Sequence, residues 1–181
     1  MARAFEGIRV VDFTQVLSGP FATYQLALLG ADVTKIELPG SGDIARPMLD
    51  PTGFGHGEMS PLFMGVNANK RSIAVDLKTS AGRDVVRRLV EKADVLVQNF
   101  RPGVIERLGF SYDDVRALRP DIIYCAVSGY GTTGPKAPNA AFDGAIQAAS
   151  GLMVSNGHPE TGPTRTVSPV IDITSGLMAA F

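Results

Sequence analysis

The sequence has very little of the side-chain chemistry that supports disulfide bonds, metal clusters and histidine-based catalysis. Its 181 residues include one cysteine, two histidines and no tryptophan. A single thiol, Cys125, can form neither an internal disulfide nor a thiolate metal cluster. No His, Cys, Asp and Glu residues recur at metal-ligand spacing, so we expect no bound metal. These absences favour a reducing, cytoplasmic compartment.

An excess of charge and a long hydrophobic run are also lacking. Seventeen Lys and Arg residues against eighteen Asp and Glu residues give a formal net charge of −1. We therefore expect neither a nucleic acid nor an anionic membrane as a partner. The amino-terminal stretch MARAFEGIRVVDFTQV is short in apolar residues and contains Asp12, which is typical of neither a signal peptide nor a membrane span.

What is present is the composition of a globular domain, with 45% hydrophobic and 19% charged residues. Short β-branched runs predict strands at 7–14, 31–38, 71–77, 93–100 and 121–131. Helical patterns lie between them, at 18–30, 79–93 and 111–119. This alternation predicts an α/β fold with a doubly wound, mostly parallel sheet and helices on both faces. In such folds ligands bind beyond the carboxyl ends of the strands.

Two of the predicted helices carry local signals. Ser18 is a candidate N-cap for the first helix, with Pro20 suited to its first turn. The second helix is expected to bury one face, formed by Val85, Val86, Leu89 and Val90.

Two segments interrupt the alternation. Segment 39–66 is rich in Gly, Pro and Met and is long for a connection, which predicts a functional loop or lid. Segment 129–141 contains the pattern G-x-G-x-x-G, but two prolines follow where a dinucleotide-binding turn would open into a helix. We interpret it as a Gly-rich loop in close backbone contact with another group. A helical pattern resumes at 142–153.

The two histidines, His56 and His158, both lie in loops rich in Gly and Pro. Neither has a nucleophile elbow such as G-x-S-x-G in its neighbourhood. We interpret both as solvated loop residues.

Two aspartates have more than one interpretation. Asp172 stands in TVSPVIDITSGLMAAF (166–181) among apolar and small residues, with no basic neighbour in sequence. A carboxylate removed from water costs several kcal/mol unless it is paired or hydrogen-bonded. Asp172 is therefore either the N-cap of a helix over 173–181 or a functional group, and Asp143 is a candidate N-cap for the helix that begins near it.

Several long motifs in one order resemble the family III (CaiB/BaiF-type) CoA-transferases. They are GIRVVDFTQVLSGPFATYQLALLGADVTKIELPGSGDIAR (7–46), NKRSIAVDLKTSAG (69–82), DVLVQNFRPGVIERLGFSYDDVRALRPDIIYCAVSGYGTTGP (94–135) and FDGAIQAASGLM (142–153). The resemblance implies a Rossmann-like large domain and a smaller second domain, in chains that interlock as a homodimer. It assigns 1–181 to the amino-terminal, CoA-binding and catalytic portion of the large domain, without the carboxy-terminal small domain.

The same resemblance implies a catalytic role for Asp172. It falls on the family's aspartate that attacks an acyl-CoA thioester, forming a mixed anhydride and releasing CoA thiolate. The thiolate then forms an aspartyl-CoA thioester, and the incoming carboxylic acid takes over the acyl role through a second anhydride. We expect the helix that starts just after Asp172 to contribute N–H donors to the oxyanions that develop.

The resemblance also implies contacts with acyl-CoA, the substrate that carries the coenzyme. The matching positions are Val16, Leu17, Ser18, Val75, Asp76, Leu77, Lys78, Asn99, Phe100, Arg101, Arg107, Phe142 and Asp143. The first three fall at the pantetheine and thioester end, and the cationic groups would meet phosphates. Leu38 and Ala140 stand where some members have basic residues, so CoA binding is expected to be rearranged or weaker.

Two alternatives stay open at this point. α-Methylacyl-CoA racemases share the fold but have a His where this sequence has Phe142, and Phe cannot abstract a proton. Leu17 replaces the Gln that the formyl/oxalate branch tends to carry, so oxalate is not predicted as the acid.

The second alternative to a CoA-transferase is a fragment that binds CoA without catalysing transfer. In neither case does the sequence identify the donor or acceptor acid.

Overall fold

The computed structural model describes residues 3–48 and 59–181. In these residues the strands are β1 (Arg9–Asp12), β2 (Asp32–Glu37), β3 (Arg71–Ala74), β4 (Val95–Gln98) and β5 (Ile123–Ala126). The helices are α1 (Ser18–Leu28), α2 (Pro61–Asn67), α3 (Ser80–Val90), α4 (Val104–Arg107), α5 (Tyr112–Leu118), α6 (Asp143–Ala149), α7 (Leu152–Asn156) and α8 (Val170–Ala180). Each predicted strand is present but shorter than its β-branched run. None of the helices in the described ranges is long and apolar enough to cross a membrane.

The five strands form one wholly parallel sheet in the order β3-β2-β1-β4-β5. Val11 of β1 pairs with Thr34 of β2 on one side and with Leu96 of β4 on the other. The chain adds strands outward from β1 in one direction and then returns to add β4 and β5 in the other. This topology confirms the doubly wound fold and creates a switch point between β1 and β4, where the loops that follow these strands diverge.

Both faces of the sheet are covered, because successive side chains of a strand point to opposite sides. Val11 contributes to a core cluster that includes Val86 and Val90 of α3. Val10 contributes to a second cluster on the other face, which includes Leu26 and Ala27 of α1. The predicted apolar face of α3 is confirmed, since its partly buried residues Val85 and Leu89 pack on the first cluster.

Helix α2 corrects the prediction that the whole of segment 39–66 is a loop or lid. Ser60 accepts a hydrogen bond from the N–H of Phe63 at 3.1 Å, and Pro61 opens the helix. This pairing of a Ser cap with Pro in the first position is a helix signal that the sequence contained. Residues 49–58, including His56, lie outside the described residues.

Helix α1 begins at the residue that was predicted to cap it. Leu17 is the N-cap, with no side-chain cap, and Ser18 is the first helical residue. The preceding Val16 adopts a left-handed backbone conformation, with φ at 68°. This sharp turn leads the chain into the helix one residue earlier than the polar signal suggested. Ser18 therefore does not cap α1.

Helix α8 packs along α1 through a position that only glycine fits. A Cβ on Gly176 would lie 2.6 Å from the carbonyl oxygen of Ser18 and 3.0 Å from the ring of Phe21. At the other end of α8, Ala180 packs on the core cluster that contains Leu26 of α1. The two helices therefore run in the same direction, with their backbones in close contact near the first turn of α1.

A network of buried charges joins the sheet to the loop after β1. Asp12, fully buried at the end of β1, accepts hydrogen bonds from Thr23 at 2.7 Å and from the Nζ of Lys70 at 3.0 Å. Burial alone would raise the pKa of Asp12. The cations of Lys35 and Lys70 outweigh that effect, with help from hydrogen bonds, and hold the pKa of Asp12 at about 2.

The second part of this network holds the turn at Val16. The Nζ of Lys35 lies 2.8 Å from the Oδ2 of Asp43, and both side chains are almost fully buried. The Oδ1 of Asp43 accepts the N–H of Val16 at 3.0 Å. One buried carboxylate thus pairs with a cation of β2 and fixes the backbone of the β1–α1 loop.

We predict that Asp43→Ala destabilises the chain by about 3–5 kcal/mol, because it leaves the buried Lys35 cation without its direct ion-pair partner. Urea denaturation at neutral pH measures this loss. Asp32→Ala is the matched control, since Asp32 pairs with Arg71 at the surface, where an ion pair contributes about 1 kcal/mol or less. Equal losses in the two variants would contradict the assignment of Asp43 to the fold.

Candidate functional site

A cavity of about 690 Å³ lies at the carboxyl ends of the strands, beside the switch point between β1 and β4. The loops that follow all five strands contribute to its wall, and the first turns of α1 and α8 close one side. Parallel strands bring these loops to the same edge of the sheet. The cavity therefore collects residues that are far apart in the sequence.

Most of the site residues predicted from the sequence line this cavity. They are Val16, Leu17, Ser18, Val75, Asp76, Leu77, Lys78, Asn99, Phe100, Arg101, Phe142 and Asp172. Two predicted residues, Arg107 and Asp143, are not part of the wall. The exposed side chain of Arg107 instead lies beside Gly103, at the start of α4.

Asp172 is half-buried in the first turn of α8 and borders the cavity. Within the described ranges, no group donates a hydrogen bond to its carboxylate. Burial raises its pKa, and the neighbouring Asp143 raises it further, to about 6. Asp172 is therefore a carboxylate with few stabilising partners that faces open space.

Asp143 holds the first turn of α8. Its Oδ2 accepts the backbone N–H of Ile171 at 2.8 Å and that of Asp172 at 3.1 Å. Its Oδ1 accepts from the side chain of Gln147, whose own oxygen accepts the N–H of Thr166 at 2.9 Å. Asp143 thus caps α8 from a different helix, because it is the first residue of α6 and has its side chain turned towards α8.

These contacts correct three predictions. Asp143 does not cap its own helix, since Phe142 is the N-cap of α6. Asp172 does not cap α8, which begins earlier, at Val170. Two of the N–H groups at the start of α8, which we expected to serve an oxyanion, are instead bound by Asp143.

The wall on the β1 side is held by paired hydrogen bonds across the switch point. The side chain of Asn99 accepts the N–H of Gln15 and donates to its carbonyl oxygen, both at 2.8 Å. The side-chain oxygen of Gln15 in turn accepts the N–H of Ile44 at 3.1 Å. Together with Asp43, these bonds fix the loop on both sides of Val16.

The Gly-rich segment after β5 is a loop, as predicted, and no helix begins directly after its third glycine. Gly129 and Tyr130 border the cavity. A Cβ on Gly129 would lie 2.2 Å from that of Ala141, so close contact explains this glycine. His158 is exposed in a turn, also as predicted. The described residues contain no group of three or more His, Cys, Asp or Glu placed to hold a metal ion.

Sequence reasoning did not select several residues of the wall, among them Gln15, Ser41, Ile44, Ser128 and Ser175. Gln15 and Ser128 come shortly after strands, and the rule for ligand sites in parallel sheets is a signal that could have found them. Ser175 follows Asp172 by three residues on the same helix face. Leu38 and Ala140, where some relatives carry basic residues, both lie in the wall.

The family model for CoA-transferase family III matches residues 5–181. This chain belongs to that family.

Curated relatives are similar along nearly the whole chain. Succinyl-CoA:glutarate CoA-transferase of Mus musculus is 42% identical over 177 residues, which cover 98% of this chain and 40% of that protein. Acetyl-CoA:oxalate CoA-transferase of Acetobacter aceti is 46% identical over 161 residues, which cover 89% of this chain and 40% of that protein. The chain thus spans about 40% of the length of these relatives.

A crystal structure confirms the fold class. The CaiB/BaiF family protein from Brucella suis superposes with a TM-score of 0.92 at 38% identity, over 99% of this chain and 48% of that one. The predicted resemblance to family III is therefore confirmed.

The raised pKa of Asp172 predicts a specific pH dependence of stability. Its folded value of about 6 lies above the usual 3.8, so the folded chain holds this proton more tightly than the unfolded chain does. The free energy of unfolding therefore loses a contribution as the pH rises through that interval. Asp172→Asn removes the ionisable group and should stabilise the chain at about pH 7.5, with a gain that shrinks towards about pH 4.5.

Urea denaturation at several pH values measures this difference between Asp172→Asn and the unchanged chain. Asp121→Asn, at an exposed loop position, is the control and should show no such trend. A gain for Asp172→Asn that is the same at every pH would contradict the raised pKa.

Proposed function

We propose that this chain carries the nucleophile of a CoA-transferase, which moves CoA between an acyl-CoA and a carboxylic acid through a covalent intermediate on Asp172. The observation that carries the proposal is the state of Asp172, a half-buried carboxylate that lies at the wall of a 690 Å³ cavity and accepts no hydrogen bond from the described residues. Membership of family III supports the reaction type.

The reaction consists of four acyl transfers that return the enzyme to its starting state. An Oδ of Asp172 attacks the thioester carbonyl carbon, the C–S bond breaks, and a mixed anhydride and CoA thiolate result. The thiolate attacks the aspartyl carbonyl, which gives the aspartyl-CoA thioester and frees the first acid as its carboxylate. The incoming carboxylate displaces the thiolate to form a second anhydride. The thiolate then attacks the new acyl carbon, which gives the product acyl-CoA and restores Asp172.

The environment of Asp172 suits both halves of this cycle. With a pKa of about 6, roughly nine-tenths of the side chain is ionised at pH 7, so the nucleophile is available without a separate base. The same raised pKa means that the carboxylate is more basic, and therefore more nucleophilic, than that of an ordinary aspartate. No metal or general base has to be placed beside it.

The placement of CoA follows from the rest of the wall. Lys78 and Arg101 are exposed cations at the cavity edge and would meet the phosphates, while apolar residues such as Val75 and Phe100 would pack against the rest of the cofactor. Leu38 and Ala140 offer no charge, so binding rests on fewer cations than in relatives with basic residues there. Phe142, at the cavity edge, has no basic atom, which favours transfer over racemisation.

The larger assembly is part of the same proposal. We assign 1–181 to the CoA-binding and catalytic portion of the large domain, because the chain spans about 40% of its curated relatives. The cytoplasmic location, the absence of a metal and the interlocked homodimer stay predictions. Exposed apolar residues on α8, Leu177 and Met178, are compatible with burial against further polypeptide.

Trapping tests the covalent step. The chain is incubated with acetyl-CoA and hydroxylamine, which converts an aspartyl anhydride or thioester to a hydroxamate. We expect a stable hydroxamate at residue 172, located by peptide mass spectrometry. Asp172→Asn should abolish it, and Asp121→Asn should leave it unchanged.

Equilibrium binding of CoA to the same samples separates the remaining explanations. CoA binding without any adduct would support a fragment that binds but does not react. An adduct on another carboxylate would contradict the role of Asp172.

Asp143 is proposed as a positioning residue, since it touches the backbone of α8 rather than the cavity. Asp143→Asn keeps an oxygen that can accept the N–H groups of α8 but removes the negative charge. We therefore expect the acidic limb of the pH–rate profile for adduct formation to move to lower pH, because the pKa of Asp172 falls.

Asp143→Ala loses the acceptor as well as the charge. It should lower the free energy of unfolding by about 1 kcal/mol, the usual effect of removing a helix cap, and slow adduct formation at every pH. Identical pH profiles for Asp143→Asn and the unchanged chain would show that the charge of Asp143 has no influence on Asp172.

A further inference from the structure

The amino-terminal end of α1 has hydrogen-bond donors that no acceptor among the described residues meets. The first intrahelical bond from this end is donated by Phe21 to the carbonyl of Leu17. Among the described residues, none accepts from the backbone N–H of Ser18 or Gly19, and α1 has no side-chain cap. These N–H groups carry the positive end of the helix dipole.

The side chain of Ser18 is a second, independent feature of the same place. Ser18 is only 7% exposed, yet its hydroxyl makes no hydrogen bond with the described residues. Its remaining exposure is to the cavity, which it lines together with Leu17. The hydroxyl oxygen is not one of the fully buried atoms that lack a partner, so it is accessible from the cavity and can donate to a ligand atom there.

The packing of α8 on α1 brings these donors to Asp172. Gly176 lies against the carbonyl of Ser18, and Asp172 precedes Gly176 by one helical turn, about 6 Å along the axis. Because the helices run in the same direction, Asp172 lies beyond the amino-terminal end of α1. Its carboxylate accepts no hydrogen bond from Ser18, so the donors stay available for another oxygen.

The charged side chains of α6 and α8 do not bind the N–H groups at the start of α1. Helix α1 contains no charged residue, α6 contains only Asp143, and α8 contains only Asp172. Asp143 occupies the N–H groups of Ile171 and Asp172. Among the described residues, the first N–H groups of α1 therefore stay free where those of α8 are occupied.

We propose that the start of α1 is the oxyanion-binding site of the acyl transfer, formed by the hydroxyl and backbone N–H of Ser18, which lines the cavity. This inference rests on the proposed function. When an Oδ of Asp172 adds to the thioester carbon, the carbonyl π electrons move to the oxygen, which becomes an alkoxide. The two donors of Ser18 bind that alkoxide until it collapses, re-forms the C=O bond and expels CoA thiolate. No proton is transferred in this step.

Single-turnover formation of the Asp172 adduct with acetyl-CoA tests the role of the hydroxyl. Ser18→Ala should slow adduct formation by about 10- to 100-fold while the CoA dissociation constant changes less than about twofold, because the donor acts on the transition state. Ser18→Thr retains the hydroxyl and should restore most of the rate. Ser80→Ala is the control, since Ser80 is also the first residue of an eleven-residue helix but lies outside the cavity.

A second measurement does not require the chemical step. In the Asp172→Asn background, acetyl-CoA labelled with ¹³C at the carbonyl is bound and its C=O stretch is recorded by difference infrared spectroscopy. Donors to the oxygen polarise the bond, so the bound band should lie at lower frequency than in free acetyl-CoA. Adding Ser18→Ala should move the band back towards the free value.

The outcomes separate this inference from the proposed function. A frequency shift that depends on Ser18 supports the oxyanion site even if the unchanged chain forms no adduct, in which case the covalent role of Asp172 fails alone. A normal rate and an unshifted band in Ser18→Ala overturn the inference while leaving Asp172 as nucleophile. Weaker CoA binding at an unchanged C=O frequency would assign the helix end to a phosphate instead and also overturn it. Absence of acetyl-CoA binding in every variant would contradict both.

Discussion

The site depends on the buried ion pair between Lys35 and Asp43. Both charges are removed from water, and each offsets the desolvation cost of the other. The other carboxylate oxygen of Asp43 accepts a hydrogen bond from the N–H of Val16. That bond holds the backbone turn after β1, the turn sets where α1 begins, and α1 provides the surface on which α8 packs. The buried ion pair is thus linked to the position of Asp172 through the turn at Val16, the start of α1 and the packing of α8.

Aspartates in this chain differ strongly in proton affinity, and their surroundings explain the difference. Both Asp12 and Asp172 lose water on folding, which raises the pKa of each. Asp12 is met by two lysine cations and two hydroxyl groups, and its pKa ends at about 2. Asp172 is met by the like charge of Asp143, and its pKa ends at about 6. The same type of side chain is therefore a strongly ionised anion in the core and a carboxylate of raised pKa at the cavity.

The sequence predicted the layers of this fold better than its turns and helix ends. Hydrophobic period and β-branched runs located all five strands, because core burial dominates there. The polar signals of helix ends were less informative, as Ser18 and Asp143 show. Ser18 precedes an apolar run as a cap would, but the left-handed turn at Val16 is imposed by Asp43, which lies 27 residues away. Asp143 caps a helix 28 residues further on, a tertiary contact that no local pattern contains.

The two features that local rules predict least well lie together in the cavity wall, in the turn between β1 and α1. A β-branched residue in the left-handed region, Val16, costs on the order of 1–3 kcal/mol. A helix without a cap, as at Ser18, gives up about 1 kcal/mol more. The left-handed Val16 and the uncapped start of α1 lie within three residues, and neither adds to the stability of the fold. The hydrogen bonds of Asp43 and Asn99 hold the backbone in this conformation. Strain and uncapped donors thus occur together where we propose the oxyanion site, and no described residue accepts from the N–H of Ser18.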